Sequence, residues 1–252
     1  MRARSELLSG AGRVNRPGKA GPVPRLPPAQ RKAMILACAT EFFAEYGLTA
    51  QTRALAEACG VAQRLLYRYF PSKAALLAEV YQEAIVAPFK AVWLVQIKDR
   101  AQPFEERLNR FYRQYYEAVL TRKWLRLFLY ASLAEARMAP DYIQAIIMEM
   151  LETIVVEAAH EQSVSLPSDR SLVHEIGWVL HGAVSHFAIR RHLYDASQKV
   201  AEEPVLALHI RSFLTGLAAT VAVAREFEAQ RATDASADCR LKSPVYDLRG
   251  LV

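Results

Sequence analysis

The feature that most constrains this chain is a pair of short helical patterns joined at a single glycine. Residues 49–73 have the sequence TAQTRALAEACGVAQRLLYRYFPSK. The spacing of apolar residues predicts one helix over about 51–59 and a second over about 62–70. Gly60 lies just past the end of the first, where a left-handed backbone conformation favours glycine. The segment therefore predicts a helix–turn–helix.

The two faces of the second predicted helix differ in chemistry. Leu66 and Phe70 form its apolar side. The opposite side gathers long hydrogen-bond donors: Gln63, Arg64, Tyr67 and Arg68. Arginine can donate two hydrogen bonds to guanine and glutamine can pair with adenine, so this face suits insertion into the major groove of DNA. The alternative is an ordinary helical hairpin with a solvated basic face.

The residues after the second helix suit a contact to a DNA phosphate. Pro71 is expected to end that helix, and Ser72 is a good N-cap for the next. Lys73 then falls in the first turn of the following helix, where a phosphate would meet both a cation and free N–H groups.

The run LAEACGVAQRLLYRYFPSKAALL resembles the DNA-binding segment of the TetR/AcrR family of bacterial transcriptional repressors. The residues that carry the resemblance are Leu55, Ala56, Gly60, Val61, Leu66, Tyr67, Tyr69, Phe70, Ser72, Lys73, Leu76 and Leu77. The resemblance covers about residues 29–80 and implies that the following positions face DNA: Arg53, Gln63, Arg64, Tyr67, Arg68, Tyr69 and Lys73.

Two departures from the family pattern concern the operator rather than the mode of binding. The loop after Gly47 is one residue shorter than is usual, so we expect Thr49 or Thr52 as the N-cap of the first helix. Arg64 and Leu65 replace residues that are commonly smaller, which changes the expected base preference.

Long segments with a period of 3.6 residues make up the rest of the chain, so the sequence predicts an all-α fold. Helix 1 should begin near Ala29 and bury one stripe: Ile35, Cys38, Ala39, Phe42 and Tyr46. A linker helix from Ser72 should be kinked or ended by Pro88. Body helices are expected at about 104–120, 123–137, 140–163, 169–194 and 203–228.

The resemblance implies an N-terminal three-helix head, linked by a helix to a C-terminal body that binds an effector and forms a dimer. The expected divisions are a disordered basic arm at 1–28, a DNA-binding domain at 29–72, an effector-binding and dimerisation domain at 73–228, and a flexible tail at 229–252. In the family, the linker helix is the lever through which a ligand moves the DNA-binding heads.

Aromatic residues are concentrated in the first body helices. At helical spacing, such residues form plain core more often than a ligand pocket. The resemblance nevertheless implies an effector pocket between these helices, suited to a hydrophobic or aromatic molecule. Its candidate lining residues are Phe111, Tyr112, Tyr115, Tyr116, Phe128, Tyr130, Met150 and Trp178.

The last two predicted helices are apolar over more of their circumference than one internal interface needs, which marks a subunit contact. Two such helices meeting their symmetry mates would make a four-helix bundle, as in the dimers of the family. A homodimer through these helices would place two heads on a palindromic operator in double-stranded DNA.

The net charge of +6 is unevenly distributed, because residues 1–30 alone carry +5. Three features predict a cytoplasmic protein without a membrane contact. The cysteines are isolated (Cys38, Cys59 and Cys239), no continuous run of apolar residues is long enough to span a membrane, and the N-terminus does not resemble a signal peptide. The sequence has no motif for a nucleophile, a phosphate loop, a cofactor or a metal, so an enzyme is not expected.

These features favour a homodimeric, ligand-responsive transcriptional repressor. The alternative is a less specific, nucleoid-type or co-regulatory DNA-binding protein that relies on the basic arm. The sequence names neither the effector nor the operator.

Overall fold

The computed structural model describes residues 26–134, 138–194, 197 and 200–241. These ranges contain helices, turns and bends and no strand, so the predicted all-α class is confirmed. The expected basic arm, up to residue 25, and the tail after residue 241 lie outside the described residues.

The helices follow one another in a simple order. They are α1 (Pro28–Tyr46), α2 (Thr52–Ala58), α3 (Gln63–Tyr69), α4 (Lys73–Tyr81, extended by a π-helical turn at Gln82–Val86), α5 (Val92–Lys98), α6 (Phe104–Ala118), α7 (Arg122–Leu133), α8 (Met138–Tyr142, a π-helical turn at Ile143–Ile147, and Met148–Glu161), α9 (Arg170–Ile189, then a π-helical turn at Arg190–Tyr194) and α10 (Glu202–Leu241). We call α1–α3 the head and α5–α10 the body, with α4 between them.

The buried stripe of α1 differs from the predicted one. Tyr46 is 67% exposed and Phe42 is only half-buried. The residues that lie in the core are Ile35, Leu36, Ala39, Thr40, Phe43 and Ala44. The stripe is wider and rotated because α1 packs against α2, α4 and α7 at once. Gly47 ends the helix as expected, with a φ of 83°, and its N–H donates to the carbonyl oxygen of Phe43 at 2.9 Å.

The prediction of isolated cysteines is wrong for Cys38 and Cys59, which form a disulfide between α1 and the end of α2. Their Cα atoms lie 5.7 Å apart across a sequence separation of 21 residues. The pairing depends on the way in which α1 and α2 cross, and no local spacing in the sequence announces it. It ties the first helix of the head directly to the helix–turn–helix.

The body is built around α9, which packs against α8 on one side and α10 on the other. Gly177 allows the close approach of α9 and α8, since a Cβ added there would lie 2.7 Å from Cβ of Leu151. The linker helix ends at Val86, before Pro88, and the short helix α5 follows, which the sequence pattern had not indicated.

A buried ion network holds three of the body helices together. Arg107 on α6 and Glu157 on α8 are both almost fully buried, and Nη1 of Arg107 lies 3.1 Å from Oε2 of Glu157. Arg107 also donates to the carbonyl oxygen of Ile97 on α5, and Arg100 donates to Oε1 of Glu157 at 2.8 Å. Hydrogen bonding from Arg100, with Arg107, lowers the pKa of Glu157. Buried charges of this kind are tolerated because each has a partner.

The final helix is longer and more apolar than predicted. It continues through Leu241, so the polar segment after 228 is helical as far as that residue. Over Glu202–Asp234 it is long and apolar enough to cross a membrane by length and composition alone, because its most apolar 18-residue window has a mean hydropathy of 1.5. The apolar run is not continuous, as the sequence indicates, because isolated polar residues interrupt it without lowering the mean hydropathy below the range of a membrane span. Core helices of water-soluble proteins meet the same criterion.

Removing the disulfide should weaken the head. In the loop-closure description, a cross-link across a loop of this length contributes about 3 kcal/mol to the free energy of unfolding. We expect Cys59→Ser, or a reducing agent added to the unaltered chain, to lower that free energy by this order in urea denaturation followed by circular dichroism. Cys239→Ser is the matched control, because it leaves the pair intact. Equal stability of the Cys59→Ser and Cys239→Ser variants would contradict the assignment.

Candidate DNA-binding site

The turn between α2 and α3 is built by local backbone bonds. The N–H groups of Cys59 and Gly60 donate to the carbonyl oxygens of Leu55 and Glu57, at 2.9 and 3.0 Å. Gly60 has a φ of +64°, a conformation that residues with a side chain adopt only with strain. A Cβ at this position would meet no described atom within 4 Å, so the backbone conformation rather than space requires the glycine.

The inner faces of the two helices are packed as the sequence predicts. Leu55 and Ala56 of α2 are 0% and 2% exposed, and Leu66 and Phe70 of the α3 segment are each 1% exposed. Val61, between them, is half-buried and packs against the same core. The apolar and polar residues of α3 lie on opposite sides of the helix, so the burial of one side leaves the other exposed to solvent.

The outer face of α3 carries the predicted donors. The residues exposed there are Gln63, Arg64, Tyr67 and Arg68. Arg53 on α2 is exposed as well, whereas Tyr69 is half-buried against the head core. The structure therefore brings two guanidinium groups, an amide and a phenol to one solvent-facing surface.

Thr52 connects this face to α2, which the sequence analysis did not anticipate. Its hydroxyl lies 3.0 Å from the hydroxyl of Tyr67 and accepts a hydrogen bond from Nε2 of Gln63 at 3.1 Å. Neither Thr49 nor Thr52 is the N-cap, since the N-cap of α2 is Gln51, with no side-chain capping bond. Thr52 instead orders the first turn of α3, and the only sequence signal was its place near the start of α2.

Lys73 has a partner inside the protein. Ser72 is the N-cap of α4, as expected, and its hydroxyl accepts from the N–H of Ala75 at 3.0 Å. The ammonium of Lys73 donates to the carbonyl oxygen of Ala50 at 2.8 Å and lies 5.9 Å from the ring centre of Phe43. Lys73 thus ties the start of α4 to the segment before α2, next to the predicted phosphate position.

The predicted effector residues fall into separate places. Phe111, Tyr112 and Tyr115 on α6 pack together in the body core, and Met150 on α8 is fully buried. Trp178 reaches this group through His181, whose ring centre is 5.4 Å away. His181 and Tyr142, which are also buried in this core, were not among the predicted effector residues.

The other predicted effector residues have different neighbours. Tyr116 stacks on Phe187, with ring centres 5.5 Å apart. Phe128 on α7 stacks on Trp124 at 4.7 Å. The ring of Tyr130 covers Gly47 at the end of α1, and its hydroxyl bonds to Arg126. Helical spacing alone could not distinguish the surroundings of these aromatic residues, because those surroundings depend on which helix packs against each residue.

Helix α7 fastens the body to the head. Arg126 donates to the carbonyl oxygens of Ala44 and Glu45 at the C-terminal end of α1, where backbone acceptors lack helical partners. Lys123 and Glu41 form an ion pair of 2.7 Å across the same junction. These contacts give the body a direct connection to the head besides α4.

A cleft of about 360 Å³ lies beside this junction. Its lining residues are Ala37, Thr40, Glu41, Glu83, Ala84, Pro88, Ala118, Thr121, Lys123 and Trp124, none of which belongs to the predicted effector set. The indole N–H of Trp124 donates to the carbonyl oxygen of Ile85, in the π-helical turn that ends α4, at 3.1 Å. Trp124 therefore separates the cleft from the aromatic core of the body.

Comparison with known proteins identifies the head. A sequence model of the family described as bacterial regulatory proteins, tetR family, matches residues 35–80. This segment comprises most of α1, the helix–turn–helix and α4 to Val80. No curated protein sequence gives a significant match to the chain.

Solved structures share the fold at low sequence identity. A TetR-like transcriptional regulator from Rhodococcus sp. RHA1 is 20% identical, with a TM-score of 0.58, over 77% of this chain and 99% of that chain. The TetR-family regulator PfmR from Thermus thermophilus is 21% identical, with a TM-score of 0.54, over 73% and 98%. The fatty acid degradation regulator FadR from Bacillus halodurans is 16% identical, with a TM-score of 0.53, over 77% and 96%.

The local sequence match and the shared fold agree with the geometry of the exposed α3 face. Residues 35–80 therefore carry the DNA-binding helix–turn–helix of the tetR family of bacterial regulatory proteins, and the described helices share the all-helical fold of TetR-family regulators.

Proposed function

We propose that the protein is a homodimeric repressor without enzymatic activity that binds a palindromic operator and is released by a small hydrophobic or aromatic molecule in the cytoplasm. The observation that carries this proposal is the face of α3 on which Gln63, Arg64, Tyr67 and Arg68 are exposed to solvent. Side chains of these types can discriminate base pairs in the major groove. Arg53, Tyr69 and Lys73 are proposed to contribute on either side of that face.

A dimer is supported by apolar surface on the last two helices. Leu208 and Val223 on α10 are 67% and 50% exposed, and Val179 on α9 is 53% exposed. Only 28% of the most apolar window of α10 is buried within one protomer. An apolar surface of this extent is a favourable place for a second copy of the chain.

Two glycines point to a close helix contact on the same surface. A Cβ added at Gly182 on α9 or at Gly216 on α10 would meet no described atom of the protomer within 4 Å. Packing inside the protomer therefore does not require glycine at these positions. Small residues at an interface let partner helices approach closely, which fits a bundle formed by α9, α10 and their symmetry mates.

Release by an effector needs a physical connection between the body and the head. Trp124 bonds to Ile85 at the end of α4, and Arg126 holds the C-terminal end of α1. A ligand that shifts α7 relative to α6 and α8 would therefore act on both α4 and α1. The ligand must bind the released pose more tightly than the DNA-bound pose, because equal affinity shifts no equilibrium.

The α3 face is tested by Arg64→Ala. Loss of one bidentate base contact should weaken binding to the operator by about 1–3 kcal/mol, while binding to random DNA changes less. The operator is first located by footprinting the DNA that flanks the gene, and both affinities are then measured by fluorescence anisotropy at fixed salt. Arg225→Ala removes the same charge from an exposed position on α10 and should leave both affinities unchanged. Equal losses on the two DNAs for Arg64→Ala would contradict base recognition by this face.

The dimer surface is tested by Leu208→Arg. A buried, unpaired charge at a subunit contact costs several kcal/mol, so sedimentation should show a monomer and the operator footprint should be lost. Val95→Arg is the matched control, because Val95 on α5 is also 67% exposed. A Leu208→Arg variant that remains a dimer excludes this surface as the contact. An unaltered protein that floats with lipid vesicles would assign the apolar face of α10 to a membrane instead.

The alternative, a less specific DNA-binding protein, is favoured by the charge of +5 on residues 1–30. Deleting residues 1–25 leaves α1 and its N-cap Pro27 in place. For an operator-binding repressor, the deletion should weaken binding to all DNA alike and reduce the salt dependence, with the footprint unchanged. Loss of a sequence-specific footprint on deletion would favour the alternative.

A further inference from the structure

Among the described residues, eight buried side-chain polar atoms have no hydrogen-bond partner, and four of them belong to neighbouring side chains in the core of the body. These four are the hydroxyls of Tyr112, Tyr115 and Tyr142 and Nδ1 of His181. The first three side chains are 0% exposed and His181 is 3% exposed. Native proteins leave few buried donors without a partner, so several in one place indicate a group that completes them.

These residues come from three helices and form one group, which we call the tyrosine–histidine cluster. The ring centre of Tyr115 lies 5.5 Å from that of His181 and 6.4 Å from that of Tyr112, and Tyr112 and His181 are 6.2 Å apart. The hydroxyls of Tyr115 and Tyr142 are near enough to interact but do not meet in hydrogen-bonding geometry. Helices α6, α8 and α9 thus bring buried side chains with unpartnered polar atoms into one region of the core.

The cluster lies next to irregular helix geometry. Tyr142 immediately precedes the π-helical turn Ile143–Ile147, and Tyr81, which interacts electrostatically with Tyr142, immediately precedes the π-helical turn Gln82–Val86 of α4. Turns of this kind are frequent at functional sites.

The electrostatics of the cluster are those of an uncharged site. Burial alone raises the pKa of Tyr112 and lowers the pKa of His181 to about 4. Burial is also the largest cause of the raised pKa of Tyr115, with further effects from Tyr142 and Tyr112. The phenols therefore stay protonated and the imidazole stays neutral at physiological pH. Burial, followed by the charge of Asp141, raises the pKa of Tyr81, which interacts with Tyr142.

We propose that the tyrosine–histidine cluster binds an uncharged effector whose aromatic or alicyclic body carries a carbonyl-type oxygen. The inference rests on the proposed function, because it names the class of effector to which the body responds. A carbonyl oxygen has two lone pairs and can accept from two phenols at once. The surrounding rings of Trp93, Phe111 and Trp178 match an apolar body.

An ionic effector is disfavoured by the same surroundings. A carboxylate or an ammonium would lose its hydration on entering, and the cluster offers it hydroxyls and a neutral imidazole rather than an opposite charge. A purely apolar molecule would leave the hydroxyls as they are. An uncharged acceptor is the class that gains a hydrogen bond without this penalty.

The site also has a route to the DNA-binding head. Tyr142 lies against Trp124 and Phe128 of α7, with ring centres 5.4 and 5.9 Å apart. Trp124 in turn bonds to Ile85 at the end of α4. An effector that draws the hydroxyl of Tyr142 toward itself would move Trp124 and, through it, the linker helix.

The test uses the full chain and four probes of similar size: acetophenone, ethylbenzene, benzoate and benzylamine. Binding is followed by tryptophan fluorescence and by calorimetry at neutral pH. One hydrogen bond of ordinary net strength should make acetophenone bind about 5- to 10-fold more tightly than ethylbenzene, with benzoate and benzylamine weaker still. Tyr115→Phe should remove the preference for acetophenone over ethylbenzene.

Matched variants separate this role from packing. Tyr116→Phe removes a hydroxyl from the neighbouring position of α6, outside the cluster, and should keep the preference. Without ligand, Tyr115→Phe should melt at the same temperature as the unaltered chain or higher, because it removes an unsatisfied group. Tyr130→Phe should melt lower, because its hydroxyl is bonded to Arg126.

Three results would overturn the inference. The first is binding of ethylbenzene, benzoate or benzylamine that is equal to or tighter than the binding of acetophenone. The second is no binding of acetophenone at 10 mM. The third is a lower melting temperature for Tyr115→Phe without ligand, which would mean that ordered water alone forms the missing hydrogen bonds of the hydroxyls. The operator footprint and the dimer are measured without any probe. If the protein forms the dimer and protects the operator but does not prefer acetophenone, the proposed function stands and the proposed class of effector is wrong.

Discussion

The burial of Leu66 and Phe70 is the interaction on which the head depends. Both side chains are removed from water in the core that α1, α2 and α4 share, and together they fix the rotation of α3 about its axis. Each such side chain contributes about 1.5–3 kcal/mol when fully buried. Rotating α3 by a quarter turn would place Arg64 or Tyr67 in that core, at a cost larger than any gain outside it. The exposed face is thus a consequence of what the core accepts.

The head is further held by contacts that cross between helices. The disulfide joins α1 to α2, Lys73 joins α4 to the segment before α2, and Thr52 joins α2 to α3. These contacts fix the outer side chains relative to one another before any DNA is present. Donors that are already oriented lose less conformational entropy on binding, which favours specific contacts.

The core of the body contains a buried ion network and, further along the same helix α6, buried hydroxyls without hydrogen-bond partners. Arg107 and Glu157 pair with each other and hold α5, α6 and α8 together, although Nη2 of Arg107 has no hydrogen bond. About two turns further along α6, the hydroxyls of Tyr112 and Tyr115 are buried without partners. Each unsatisfied buried group lowers stability by about 1–3 kcal/mol. Several such groups in one region of the core are consistent with the effector site proposed there.

The amino-acid sequence by itself determined the helix–turn–helix, the helical class and the surplus apolar surface of the last two helices. Each of these depends on local periodicity, on one glycine with positive φ, or on composition within a helix. Only the tertiary structure decided which side of α1 is buried, that Cys38 meets Cys59, and that Lys73 bonds to Ala50. It also decided that Tyr142 and His181 join Tyr112 and Tyr115, while Tyr130 covers the end of α1. These relations join residues far apart in the chain, and they follow from how helices cross, which no local pattern specifies.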